Sequence, residues 1–373
     1  MLAASLLPRL CYGMIGLPLL IALHDGTGSY AVASIATSLF GLAVALLGPA
    51  RARLIRGRHG VAFMLLATGY VLSLAALAVA CATHAPAVVD IVLAVVAGLC
   101  PPPVGPRMRA QWSALATDDE LRQRALSLDT AAESTAFALG PPIAGTLIAI
   151  SSAPSVLGGC AVAALAGFGL LAAAMRDGGL GTESEGGTVG RRGGTFGMMG
   201  PLVLTWAIAA AMAAAGVVIV VAWGALTAGF LTALLPVGGV VGGLLYGRRR
   251  WPGALGRRAL ILTGCSAVCW ALPVLAYAPA AAAASLLLAG ACCDILMITT
   301  YQLVSIAVAK DSQAEAGAWL NTAYNLGAAM GTAAGGFLAD RVGPHASFAA
   351  IAALCAVSSV AVSVLSRRGR SEA

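Results

Sequence analysis

The sequence predicts an all-α membrane protein of twelve transmembrane helices arranged as two six-helix halves. Three observations carry that prediction: a composition too apolar for water, an alternation in where the arginines fall, and an internal repeat at a spacing of about 192 residues. Each constrains the elements differently, so they are taken in turn.

Of 373 residues, 60% are hydrophobic and 10% charged, whereas soluble domains carry roughly 25% charged residues. A helix needs about 20 apolar residues to cross a hydrocarbon core of about 30 Å. Apolar segments fall at about 2–23, 30–50, 61–82, 88–106, 126–150, 155–175, 201–221, 226–247, 259–278, 280–308, 316–338 and 346–366. The chain is apolar from Pro201 to Gly247, which as one helix would be roughly 70 Å long. It is therefore expected to break near Trp223, Gly224 and Thr227. The same argument divides the runs at Ser151, Ser152 and Pro154 and at Ala278 and Pro279. The longest polar stretch, Arg176 to Gly200, is a linker. No room remains for a large soluble catalytic or nucleotide-binding domain, and no P-loop is present.

Cytoplasmic loops are enriched in Lys and Arg. With the N terminus inside, the even-numbered connections and the C terminus hold twenty of the 22 basic residues, among them Arg51, Arg53, Arg109, Arg122, Arg124, Arg176, Arg248 to Arg250, Lys310 and Arg367. The exceptions are Arg9, within the first span, and Arg341. The net charge of +7 thus reads as a topology signal, and nucleic-acid binding is not expected. The nine cysteines lie in or beside apolar runs. Their odd count and lack of a CxxC pair argue against a disulfide framework or a zinc site.

The repeat is visible where Leu128-Asp129-Thr130-Ala131 with Glu133 returns as Leu320-Asn321-Thr322-Ala323 with Asn325. Residues 1–175 and 201–366 form the two halves, 176–200 the Gly-rich cytoplasmic linker and 367–373 a cytoplasmic tail. Six crossings return the chain to its starting side, so the halves share an orientation. Parallel repeats of this kind place substrate near the membrane midplane between them.

On Ala-Leu-Ser-Leu-Asp-Thr-Ala-Ala-Glu (125–133), Phe-Ala-Leu-Gly-Pro-Pro-Ile-Ala-Gly (137–145) and Ala-Trp-Leu-Asn-Thr-Ala-Tyr-Asn-Leu-Gly (318–327), the chain resembles the major facilitator superfamily. It looks most like the small drug-exporter-like members common in actinobacteria. Gly140 to Gly145 is similar to the fifth-helix antiporter motif of proton-coupled exporters, and Gly140, Pro141 and Pro142 are read as a bend that assists gating. The resemblance implies a secondary-active, alternating-access transporter in a bacterial plasma membrane, with both termini cytoplasmic. It would be a monomer that exports an amphipathic small molecule against protons, with no cofactor, metal or enzymatic activity. A facilitator or importer of sugars or other metabolites is the alternative, and a membrane scaffold or receptor a more distant one. The loop after span two should carry Asp-Arg followed by basic residues. Here Gly48-Pro49-Ala50-Arg51-Ala52-Arg53 keeps the arginines and lacks the aspartate, so Arg51 and Arg53 carry any gate role without it. Asp340-Arg341-Val342-Gly343 fits that motif better but falls after span eleven, and is read as a helix end.

Ionisable groups within spans cost about 2.5–3.5 kcal/mol on insertion scales and usually face a bundle interior. Glu133, Asp294, Asp129 and Arg9 are such groups. Asp294 is either a protonatable or substrate-facing acid, or a buried aspartate satisfied by Thr299 or Tyr301. Asp129 and Glu133, at i and i+4, share a helix face; Glu133 is the candidate for proton coupling, while Asp129 is expected to pair with Arg122 or Arg124. Arg9 either finds an acidic or carbonyl partner or snorkels to the surface. Asn321 and Asn325, with Tyr301, Gln302 and Arg109, are candidate substrate contacts, packing glue and anchoring being the plainer readings. Gly239 and Gly243, and Gly327, Gly331 and Gly335, have the spacing that lets helices approach closely. No HExxH or GxSxG motif is present.

Overall fold

A computed structural model of the chain describes residues 2–57, 59–105, 108, 119–176, 198–248, 251, 254–307 and 313–371. Among them all regular structure is helical, and the chain divides into two compact units, Met1–Gly187 and Thr188–Ala373. The first holds α1 (Leu2–Met14), α2 (Gly16–Thr27), α3 (Tyr30–Gly57), α4 (His59–Ala82), α5 (Ala87–Leu99), α6 (Asp119–Ile150) and α7 (Ala153–Arg176). The second holds α8 (Met199–Gly247), α9 (Leu255–Leu275), α10 (Pro279–Ala307) and α11 (Gln313–Ser371). Seven described helices are long and apolar enough to cross a membrane, or eight if the bent pair α1–α2 is one span.

Helix α4 shows how the sequence orients such a span. Phe63, Ala67, Tyr70, Leu74, Leu77 and Cys81 are buried, while Val61, Leu65, Leu72 and Val79 on the other side are more than 60% exposed. The buried residues recur every three to four positions and the exposed ones at intervals of four and seven, both helical spacings, so the helix buries one face in protein and offers the other, also apolar at these positions, to hydrocarbon. Its buried face meets α7, where Phe168 sits among Phe63, Tyr70 and Tyr12 of α1 at ring separations of 6.0–6.2 Å.

The first span is broken, with α1 and α2 bent by 41° about Ile15. Pro18 explains the break, because it offers no N–H to the Met14 carbonyl and its ring crowds that oxygen. The overlong apolar helices α8 and α11 break at Gly224 (φ 74°) and Gly343 (φ 81°), in a left-handed region open to glycine. The first lies where the sequence demands it, and the second ends the Asp340-Arg341 segment. Trp223 packs on Tyr277 and Phe348 with ring centroids 5.3 and 5.9 Å apart, and His345 Nε2 lies 2.8 Å from the Val274 carbonyl. Both glycine corners are thereby tied to the α9–α10 turn.

Helices meet along glycine seams that recur in the two units. In the first, Gly13 of α1 faces Gly140 of α6, and a methyl on Gly98 of α5 would stand 2.5 Å from the Phe40 carbonyl of α3. In the second, Gly327, Gly331 and Gly335 of α11 lie on Trp206, Ala210 and Ala214 of α8, while Gly290 of α10 lies on the Leu235 carbonyl. Gly98 and Gly290 are 192 residues apart, the repeat spacing seen in the sequence. One expectation is corrected. Gly243 meets nothing within 4 Å, and it is Gly238 and Gly242 that seat Leu287 and Ala291 of α10. Gly239 faces a side chain instead, described below.

These seams predict opposite signs for two Gly→Ala changes. Gly331→Ala, whose methyl would strike the Ala210 backbone, should destabilise unit 2 by about 1–3 kcal/mol. Gly216→Ala meets nothing within 4 Å and should stabilise it by up to about 1 kcal/mol through helix propensity. Thermal unfolding midpoints in detergent check both.

Candidate functional site

The most polar buried contact in the first unit joins its first helix to its sixth. Arg9 and Asp129 are 1% and 0% exposed, and Arg9 Nη2 donates to Asp129 Oδ1 at 2.8 Å and to Oδ2 at 2.9 Å, while Nη1 donates to the Asp129 carbonyl at 3.2 Å. Neighbouring residues hold Arg9 in place. The ring of Pro8 fills the space left by Gly167 of α7, with Cδ 2.8 Å from where a methyl would be, and Gly13 lets α1 lie directly on α6. Charge-assisted contacts of this kind are the strong hydrogen bonds of a protein interior. Arg9 is thereby buried with an acidic partner, one of the two outcomes open to it, and Asp129 gains a partner that its own helix does not supply. A side chain from 120 residues away reaches Asp129 because α1 and α6 pack face to face.

Glu133, one turn along α6, is half-buried with its carboxylate against the bare backbone of Gly105, where a methyl would stand 2.9 Å from Oε1. Two acids on one helix face therefore meet different surroundings: Asp129 pairs with Arg9, and Glu133 reaches the segment that follows α5. Gly140, Pro141 and Pro142 lie further along α6, which remains helical through all three.

The end of α5 is held by residues whose joint role the sequence does not reveal. Pro101, Pro102 and Pro103 stop the helix and leave its last carbonyls without helical partners. Arg51, 6% exposed, donates from Nη1 to the Gly98 carbonyl at 2.9 Å and from Nη2 to the Val44 carbonyl, and Tyr12 Oη donates to the Pro102 carbonyl at 2.7 Å. A cation at a helix C-terminus also suits the helix dipole. Arg51 belongs to α3, which continues helically to Gly57, so the segment expected to form a loop after span two is helix here. Arg109 lies outside the described residues, as do the side chains of Arg53, Arg122 and Arg124.

In the second unit Asp294 of α10 lies against Gly239 of α8, close enough that a methyl there would collide with its carboxylate. Tyr324 of α11 is within electrostatic reach of it. Thr299, expected as a partner, donates to the Ile295 carbonyl at 2.8 Å, and Tyr301 is 45% exposed. Among the described residues Asp294 makes no hydrogen bond or ion pair. Asn321 and Gln302 are exposed and Asn325 is half-buried. The repeat thus places an ion pair and a second acid in one unit where the other has two asparagines. In exchange, it places an acid at position 294 where the first unit has the Pro-rich stop.

Sequence reasoning missed Asp90 of α5, which is 0% exposed. It stands within Val88-Val89-Asp90-Ile91-Val92, the same signal that singled out Asp294. No group of three or more metal-ligating side chains occurs among the described residues.

Removing either partner of the α1–α6 ion pair strands a buried charge. Arg9→Met alone should lower stability by about 3–5 kcal/mol, and Arg9→Met with Asp129→Leu should recover most of it. A double-mutant cycle on unfolding midpoints measures this, and additive losses would contradict the pairing.

No protein-family model matches the sequence, and no curated protein does. Solved structures nevertheless share its fold over nearly the whole chain. The POT family transporter PepTSo matches with a TM-score of 0.69 at 11% identity, covering 100% of this chain and 98% of that one. A POT family transporter solved in complex with 5-aminolevulinic acid gives 0.70 at 12% identity over 98% and 95%. A bacterial homologue of the iron transporter ferroportin, in its inward-facing state, gives 0.71 at 15% identity over 97% of each chain. The chain therefore has the all-helical membrane fold of the major facilitator transporters.

Proposed function

We propose that this protein is a secondary-active transporter of the bacterial plasma membrane that works by alternating access and exports an amphipathic small molecule in exchange for protons. In this reading both termini are cytoplasmic, and substrate access alternates between the two sides of the membrane. The observation that carries the reading is the division of labour on α6. Asp129 is tied to Arg9 by three hydrogen bonds, while Glu133, on the same face, stands against a glycine after α5. An acid held beside a fixed ion pair can bind and release a proton without dismantling the helix packing around it. Protonation neutralises Glu133 and permits reorientation, and release to the other side resets it. Asp294, against Gly239 and beside Tyr324, is the second acid available to a proton or to a cationic group of the substrate. The shared fold of the solved transporters supports transport as the class of activity and leaves the substrate to be found.

Glu133→Gln should abolish pH-gradient-driven substrate movement in reconstituted vesicles, with expression and unfolding midpoint unchanged. A substrate panel run with and without a proton gradient separates this from facilitation, in which the gradient would be immaterial. Gradient-driven transport undiminished in Glu133→Gln would exclude Glu133 as the coupling acid.

A further inference from the structure

A second acid in the first unit is buried more completely than Glu133 and has no cation to pair with. Asp90, in the first turn of α5, is 0% exposed. Its Oδ1 lies 3.8 Å from the Cys81 Sγ of α4, a weak thiol contact, and its Oδ2 is buried without a hydrogen-bond partner. The slot around it is narrow. A methyl on Gly26 of α2 would stand 3.1 Å from Oδ2 and 3.4 Å from Cys81 Cα. An ionised carboxylate in such a place loses its hydration, and among the described residues only the weak Cys81 thiol contact and the N-terminal dipole of α5 offset that loss, so the neutral acid is the form that fits.

Titratable groups stand at that end of each of the helices α2, α3 and α4 that pack on α5. Helix α2 brings His24 and Asp25, α3 brings Tyr30, and α4 brings Cys81 and, just beyond its end, His84. The His24 and Tyr30 rings stack at 3.7 Å, and His24 Nδ1 is buried without a partner. His84 is held at φ 51° in the turn between α4 and α5. Asp25 and His84 are exposed, and Asp25 lies within electrostatic reach of His24, His84 and Cys81. Titratable groups therefore run from water to the buried carboxyl.

We infer that Asp90 is a proton-binding site, separate from the α6 acids, that holds its proton while α2, α4 and α5 are packed and exchanges it with water at the α2–α3 and α4–α5 turns. Loss of the proton places an anion between Gly26 and Cys81 and loosens that seam. The site therefore couples proton occupancy to the packing of one end of the unit. Under the sidedness proposed above, that end faces outward; the site itself does not depend on transport.

Infrared spectroscopy of the full-length protein in lipid vesicles tests this. The wild type should show the carbonyl stretch of a protonated carboxylic acid at neutral pH, shifting in heavy water as the proton exchanges. That band should be lost in Asp90→Asn, whose amide mimics the neutral acid, and kept in Asp294→Asn and Glu133→Gln. Absence of the band, its survival in Asp90→Asn, or its failure to shift in heavy water overturns the proposal. If Asp90→Asn does not fold, carboxyl labelling of all aspartates with carbon-13 in the wild type and in Asp294→Asn must move the band in both. A band that stays in place in either overturns the assignment. Failure of gradient-driven transport would leave this band untouched, so the two readings fall separately.

Discussion

Among the described residues of the first unit, one buried ion pair, Arg9 with Asp129, ties the packing together. Arg9 and Asp129 cannot be separated without leaving a charge in an apolar interior, so the contact fixes the register of α1 against α6 more firmly than apolar packing could. Pro8 in its glycine notch on α7 and Gly13 against Gly140 then follow from that register, since all three anchors lie within six residues of one helix. The break at Ile15 frees the remainder of the span from the same constraint. Helix α2 can take its own direction and present Gly26 to Asp90.

The two units use the same scaffold for different chemistry. Close approach at Gly98 in one and Gly290 in the other is a backbone property that survives sequence divergence, because nothing larger than hydrogen fits. The side chains lining the equivalent helices have parted company. Asp129 and Glu133 correspond to Asn321 and Asn325, and Asp294 to Pro102. Charge is therefore distributed asymmetrically over a repeated frame, and none of these three acids has an acid at the equivalent position of the other half.

Much of the frame was legible because it follows from solvent and length. Hydrocarbon thickness alone demanded a break in the run containing Gly224, the polar Asp340-Arg341 pair marked the helix end at Gly343, and the composition of each span announced helix. Partners were not legible. Asp129 has arginines a turn or two away in sequence, and nothing there points to the pairing with Arg9, because proximity along the chain says little once helices pack side by side. The glycine pattern gave the right helix on α8 and the wrong face, Gly238 and Gly242 replacing Gly243, since a spacing of four fits several adjacent rows. Arg51 was legible as a basic residue after span two, but its service to the end of α5 depends on where three prolines stop another helix.

The separation of Arg9 from Asp129 by 120 residues also bears on how the chain is made. During synthesis the arginine leaves the ribosome long before its carboxylate, with the segments of α2 to α5 emerging between them. Until α6 arrives, Arg9 lacks the carboxylate that pairs with it, and burying its charge in hydrocarbon costs about 2.5–3.5 kcal/mol on insertion scales. The earliest segment of the first unit therefore gains its anchors on α6 and α7 only after those helices have been made.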